Sequence, residues 1–445
     1  MLERLRRGDY LRLLAAVYVA TFLIRAAFGI VVITLKHHVA SDNTSYGLVV
    51  AATPLAELLT VLFGVGVVID RYGSKRILVT GLALGAISLF TLAATDNLLI
   101  LGLINALHGV ASAFILIPSL TVIAKYTPKE SRGREMGAFN FVNLFGWIFG
   151  AAMGVYLLGE LSPSWTFIIA GTFAVASMAY AWFAVSDPGT GAGAADHGHD
   201  VSFKDVALTL KEPSVVTLIL PWLFAFIFIG GLLNIAPELA APDNLTSSGG
   251  EGSSGLATGL RAVLILFVGS VFLVSQIFFG KLSDKYGREP LMILGTTGFL
   301  GFLLTVGYGF LQSPTDTYTD LTASVSALWP ALFVFAVMVL AFPPAALAAL
   351  ADAGQEGRKA TTMSLYTLVL AGGLIIGPPV AGAVQDAFGY WGVLLFFIVL
   401  AALMLAIVAG RYVESRLTHR AARPTGSPSS PRPEAPAAEA HNRGR

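Results

Sequence analysis

Twelve stretches of about 20 apolar residues, spaced along the whole chain, constrain this sequence more than any other feature. A hydrocarbon layer about 30 Å thick takes roughly 20 helical residues to cross, at about 1.5 Å per residue. Inside lipid the backbone must satisfy its own hydrogen bonds, so such stretches are helices. They cover 10–35, 46–69, 77–94, 98–123, 136–158 and 165–185, then 215–236, 262–280, 291–311, 327–350, 361–384 and 391–410. The expectation is an all-α membrane protein with six spans on each side of a polar stretch. Its organisation is an N-terminal bundle (1–186), a linker (187–213), a C-terminal bundle (214–412) and a tail (413–445).

Composition agrees. Only 12% of the 445 residues are charged and 55% are hydrophobic, with a mean hydropathy of +0.74, about half the charge of an ordinary soluble domain. A soluble enzyme and a largely disordered chain are both excluded, and a net charge of +1 carries no footprint for nucleic acid. The implied partner is the lipid bilayer. With no cysteine, disulfides, thiolate metal sites and cysteine nucleophiles drop out. The charged start, 1–9, does not read as a cleavable signal peptide.

All of the 28 Lys and Arg except Arg25, Lys36 and Arg261 fall at one end of the spans. Because cytoplasmic loops collect basic residues, both termini are expected in the cytoplasm of a multi-pass plasma-membrane protein. The linker is Gly/Ala-rich over 187–200, and 201–212 reads as a short amphipathic helix on the membrane surface. The outer loop 242–254 is Gly/Ser-rich, and 418–445 is Pro/Ala-rich and expected to be disordered.

A repeat links the halves. Gly66, Asp70, Arg71, Tyr72 and Gly73 follow span 2; Gly280, Asp284, Lys285, Tyr286, Gly287 and Arg288 follow span 8. Glu130 and Arg132 after span 4 are echoed by Glu356 and Arg358 after span 10. This is a duplicated six-span unit. The glycines suit a tight turn between antiparallel helices, and the basic residues suit lipid headgroups. Asp70 either pairs with Arg132 or Arg134, sits at a helix N-terminus, or caps its own turn.

On this doubled loop motif the sequence resembles the major facilitator superfamily from about residue 10 to 412. The resemblance implies two pseudo-symmetric six-helix bundles rocking about a central site, with Asp70 and Asp284 helping to latch the cytoplasmic side. In span 11, Gly373, Gly377, Pro378 and Gly382 look like the family's helix-bend pattern; span 5 has the weaker Gly146, Gly150 and Gly154 without the proline of the antiporter form. Span 4 departs from the drug:proton antiporters, reading Asn105-Ala-Leu-His108-Gly109 where that class carries an Arg.

Charge at mid-membrane depth is costly and points to function. Arg25 and Glu57 lie about 22 and 20 Å in from the basic end, and His108 about 15 Å from the other, all near one level. Arg25 and Glu57 are expected to pair until protonation of Glu57 or an anionic solute separates them; the alternative is a permanent ion pair locking spans 1 and 2. His108, with an ordinary pKa near about 6.5, is either a second proton relay or a satisfied core histidine. Asn105, Asn140, Asn143 and Gln276 either line the path or make interhelical hydrogen bonds. Arg261 reads as an interfacial anchor, and Pro221, Pro343-Pro344 and Pro378-Pro379 mark kinks.

Other signals are weaker. His197 and His199 between Asp196 and Asp200 fit a linker better than a metal site, and Asn43 and Asn244 match the glycosylation acceptor pattern. No phosphate-binding loop or hydrolase motif occurs. The reading is therefore a monomeric secondary transporter for a small organic solute, with no cofactor or metal, driven by a proton gradient as an efflux antiporter. The alternatives are proton-coupled uptake of an organic anion, and a non-transporting receptor on the same scaffold.

Overall fold

The computed structural model describes residues 7–39, 41–127, 132–185, 213–240, 255–312, 328–353 and 359–421, and among these every regular element is helical. The first half holds α1 (Arg7–His38), α2 (Asn43–Leu62), α3 (Val65–Tyr72), α4 (Ser74–Leu92), α5 (Leu98–Tyr126), α6 (Arg132–Glu160) and α7 (Pro163–Ala184). The second holds α8 (Pro213–Ala240), α9 (Gly255–Tyr286), α10 (Arg288–Gln312), α11 (Trp329–Val339), α12 (Phe342–Ala353) and α13 (Lys359–Ala421). Eleven helical stretches are long and apolar enough to cross a membrane. The last, Leu365–Leu417, has 53 residues and holds two crossings, since Gly389 leaves helical geometry at φ 64. The chain doubles back there: a Cβ on Gly231 would lie 2.7 Å from Phe397 and 3.1 Å from Ala381.

Local sequence sets several helix starts. Asp42 accepts from the Ser45 N–H to begin α2, Asn97 accepts from Leu99 and Ile100 to begin α5, and Pro163 opens α7; each supplies or removes one of the orphan donors of a first turn. Two expected spans are interrupted. Span 2, read as one helix over 46–69, breaks at Phe63–Gly64, where Gly64 has φ 93 and starts α3. Span 10 breaks ahead of Pro343-Pro344, giving α11 and α12, because a proline supplies no N–H to the turn before it. By contrast, α8 runs through Pro221, and α13 through Pro378 and Pro379, without leaving helical dihedrals.

The glycines of span 11 form a contact surface. A Cβ on Gly373 or Gly377 would overlap Phe226 or Ile227 of α8. The first half repeats this arrangement: Gly146, Gly150 and Gly154 of α6 press on Arg25, Ala26 and Ile30 of α1. Such small-residue stripes let helices approach where lipid gives no hydrophobic drive to association.

Two large apolar cores form, one from residues of α1, α2 and α4 to α7 around Leu82, Leu101, Phe139 and Phe167, the other from α8 to α13 around Leu218, Met292, Ala346 and Leu350. Leu99, Trp182, Phe278 and Leu395 are exposed, as suits a surface in contact with lipid. The halves meet along α1–α8, α2–α13 and α6–α9. The surface helix at 201–212, the loop 242–254, the histidines at 197 and 199, Asn244, Arg358 and the tail beyond 421 lie outside the described residues, as does all of the linker but Pro213.

Candidate functional site

A cavity of about 130 Å³ lies between the halves. Phe28, Trp147, Thr53, Glu57, Asn105 and His108 line it from the first half, and Leu233 and Leu374 from the second. One close crossing assembles its polar wall. A Cβ on Gly109 would overlap the Thr53 carbonyl and lie 2.9 Å from the Glu57 nitrogen, so α2 and α5 touch backbone to backbone. This glycine, beside His108, is what brings Asn105, His108 and Glu57 onto one cavity wall. Thr53 Oγ1 donates to the Asn105 carbonyl at 3.0 Å and its Oδ1 at 3.2 Å, while Asn105 Nδ2 donates to the Leu101 carbonyl at 2.9 Å.

Arg25 is buried behind this wall rather than lining it. The expected direct pair with Glu57 is absent from the contacts of these two described residues. Instead, Arg25 Nη1 donates to Ser112 Oγ at 3.1 Å, and the Glu57 carboxylate interacts with both the guanidinium and the Ser112 hydroxyl. Ser112 thus shares the pocket between the two charged groups, and the guanidinium hydrogen-bonds to it. Arg25 also lies 5.7 Å from the centre of the Phe28 ring, and its Nε is buried without a partner. His108 is buried, its ring centre 3.6 Å from that of Phe28 and its Nδ1 3.5 Å from Ser88 Oγ. Ser112 and Thr53 were not legible as site residues from charge alone. Ser112 follows His108 by four residues and Thr53 precedes Glu57 by four, the spacing that shares a helix face, and that spacing is the signal that finds them.

Asn140, Asn143 and Gln276 do not line this cavity. Asn140 is exposed, Asn143 has a buried Oδ1 without a partner, and Gln276 donates 3.4 Å to the Phe272 carbonyl of its own helix.

At the end carrying the doubled motif, Gly73 and Gly287 take the same role with φ 86 and 95, a left-handed turn that a side chain resists. Arg71 lies 5.4 Å from the Tyr72 ring centre and Lys285 5.2 Å from that of Tyr286. Asp284 pairs with Arg288, which reaches Asp352 at 3.3 Å, all within the second half. A Cβ on Gly66 or Gly280 would meet open space. Arg134 pairs with Glu135 at 2.8 Å. The side chains of Asp70 and Arg132 fall outside the described residues.

The opposite end is closed by contacts between halves. Lys36 Nζ lies 3.3 Å from Glu238 Oε1, and His37 Nε2 lies 3.1 Å from the Pro237 carbonyl. Nothing in span periodicity pointed to this cluster.

A profile of the Major Facilitator Superfamily matches residues 14–272 and 245–441. The chain belongs to the major facilitator superfamily. It is therefore a multi-pass membrane transport protein and not an enzyme. Among relatives, this transporter is 24% identical over 358 residues to Multidrug resistance protein 2 of Bacillus subtilis (strain 168), covering 78% of this chain and 81% of that one. It is 28% identical over 175 residues to Quinolone resistance protein NorA of Staphylococcus aureus, covering 38% and 44%. The fold is shared with the nucleoside transporter NupG (TM-score 0.69, 14% identity, 90% of this chain and 99% of that one). It is shared as well with a D-xylose-proton symporter (TM-score 0.63, 17% identity, 90% and 97%).

Proposed function

We propose that this transporter exports a small organic solute in exchange for protons, with the motif end in the cytoplasm of a plasma-membrane protein that works as a monomer. The observation that carries the reading is Glu57, the one acidic side chain on a wall that is otherwise apolar, aromatic or neutral. A carboxylate in such surroundings binds a proton or a cationic group of the solute, not both at once, and that competition is what couples two opposite fluxes. Ser112 positions the carboxylate and relays its charge state to Arg25. The multidrug relatives support efflux of organic compounds. At about 130 Å³ the cavity is smaller than the roughly 300–1,000 Å³ of pockets for drug-sized ligands, so admitting solute requires the halves to part.

Acid-loaded proteoliposomes test this against a panel of cationic drugs, sugars and organic anions. A compound that discharges the proton gradient through the parent protein, but not through Glu57→Gln, identifies the substrate class and the coupling carboxylate. Equal discharge by both proteins removes Glu57 from coupling. A second reading, uptake of an organic anion with protons, draws on the unpartnered Nε of buried Arg25; solute and protons moving in the same direction would favour it.

A further inference from the structure

The end opposite the doubled motif is sealed by an unusual cap. The first turn of α2 exposes backbone N–H groups that no helical carbonyl can satisfy. Asp42 takes the N–H of Ser45 at 2.8 Å. The two donors before it are taken by a carboxylate from the other half of the molecule: Asp386 accepts from Asn43 N at 3.1 Å and Thr44 N at 2.8 Å. Asn43 Nδ2 and Thr44 Oγ1 donate to the same carboxylate at 2.9 and 2.5 Å. A negative group at a helix N-terminus also gains from the helix dipole. Asp386 lies three residues before Gly389, on the turn between the last two spans, and 343 positions from Asn43.

Beneath this cap lies an ion pair. Glu238 of α8 takes Lys36 of α1 at 3.3 Å, and its other oxygen accepts from Tyr390 at 2.6 Å and Gln385 at 3.1 Å. Asn234 donates to the Asn43 carbonyl at 3.0 Å and the Pro378 carbonyl at 2.9 Å. The backbones are pressed together as well, with a Cβ on Gly47 falling 2.5 Å from the Pro378 carbonyl.

We propose that Asp386 is the keystone of the far-end gate, closing it by capping α2 from the opposite half, with the Lys36–Glu238 pair as the second element of the same latch. When the far end opens, the Asn43 and Thr44 donors pass to water while Asp42 keeps the helix start intact, so the gate opens without unwinding α2. The inference rests on reading the chain as an alternating-access transporter whose far end faces outside, and its readout is separate from solute flux.

The absence of cysteine makes the test direct. A single cysteine replaces Val50, on the cavity wall, and an impermeant maleimide is added outside intact cells; Asp96→Cys, on an exposed far-end loop, reports orientation. Labelling of Val50→Cys is expected to be slow in the parent and about tenfold faster with Asp386→Ala, a factor equivalent to about 1.4 kcal/mol. Lys36→Met should accelerate it less. If Asp386→Ala does not accumulate, Gly47→Val makes the same test, because its side chain fits only when the seal is parted. Unchanged labelling of Val50→Cys in all of these, with Asp96→Cys labelled from outside, overturns the gate. Labelling of Asp96→Cys only after permeabilisation overturns the orientation instead, and the gate is then read with the reagent on the other face.

Discussion

The two ends of this transporter are built to different rules. At the far end, a carboxylate from one half caps a helix of the other, a lysine crosses to a glutamate, and glycines bring backbones into contact. At the motif end, the pairs Asp284–Arg288, Arg288–Asp352 and Arg411–Glu289 each stay within the second half, Tyr18–Glu135 stays within the first, and the leading glycines of both motif copies face open space. The difference teaches that the described polar contacts crossing between the halves gather at the far end.

That contrast can be broken most severely by filling its glycines. Gly47→Val should hold the far end apart and abolish solute exchange, while Gly66→Leu should leave the far-end seal intact and hold the motif end apart. Exchange assays would read both as inactive, and impermeant labelling would separate them, with cavity access from opposite faces. If both variants open the same face, the assignment of the two ends fails. Between the ends, Ser112→Ala leaves the buried Arg25 Nη1 without its acceptor, a loss of roughly 1–3 kcal/mol. A fall in melting temperature, with an altered pH profile of proton release, would separate a bridging hydroxyl from a mere space-filler; an unchanged profile would make Ser112 structural.

The smallest effect is expected at the local cap. The N–H of Ser45 holds the Asp42 carboxyl below its usual range. A carboxyl with a lowered pKa contributes stability that is present above the unfolded value of about 3.9 and is lost as pH falls through the folded one. Asp42→Ala should therefore lower the melting temperature slightly at neutral pH and not at all at pH values below the folded pKa. A drop as large as that of Asp386→Ala would mean that α2 depends on its own cap rather than on the one from the other half.

Much of the fold was legible because its signals are local. Apolar length marks spans, and the doubled Gly-Asp-Tyr-Gly loop marks a duplicated unit in which Gly73 and Gly287 need positive φ. The break at Gly64 was missed since apolar residues continue through it, and hydropathy does not register a single left-handed dihedral. At the cavity, mid-depth charge singled out Arg25 and Glu57 because lipid penalises charge whatever the packing. Charge could not reveal that a neutral serine is the group to which Arg25 donates.

The sequence by itself determined that this chain crosses the membrane many times, as two related halves with one mid-depth carboxylate, because burial, helix length and turn dihedrals are set by residues near one another in the chain. The tertiary structure alone decided that Ser112 accepts from the buried Arg25, and that Asp386 caps a helix beginning 343 positions earlier. A hydrogen bond depends on ångström distances between groups brought together by the packing of whole helices, and a linear pattern does not carry those distances.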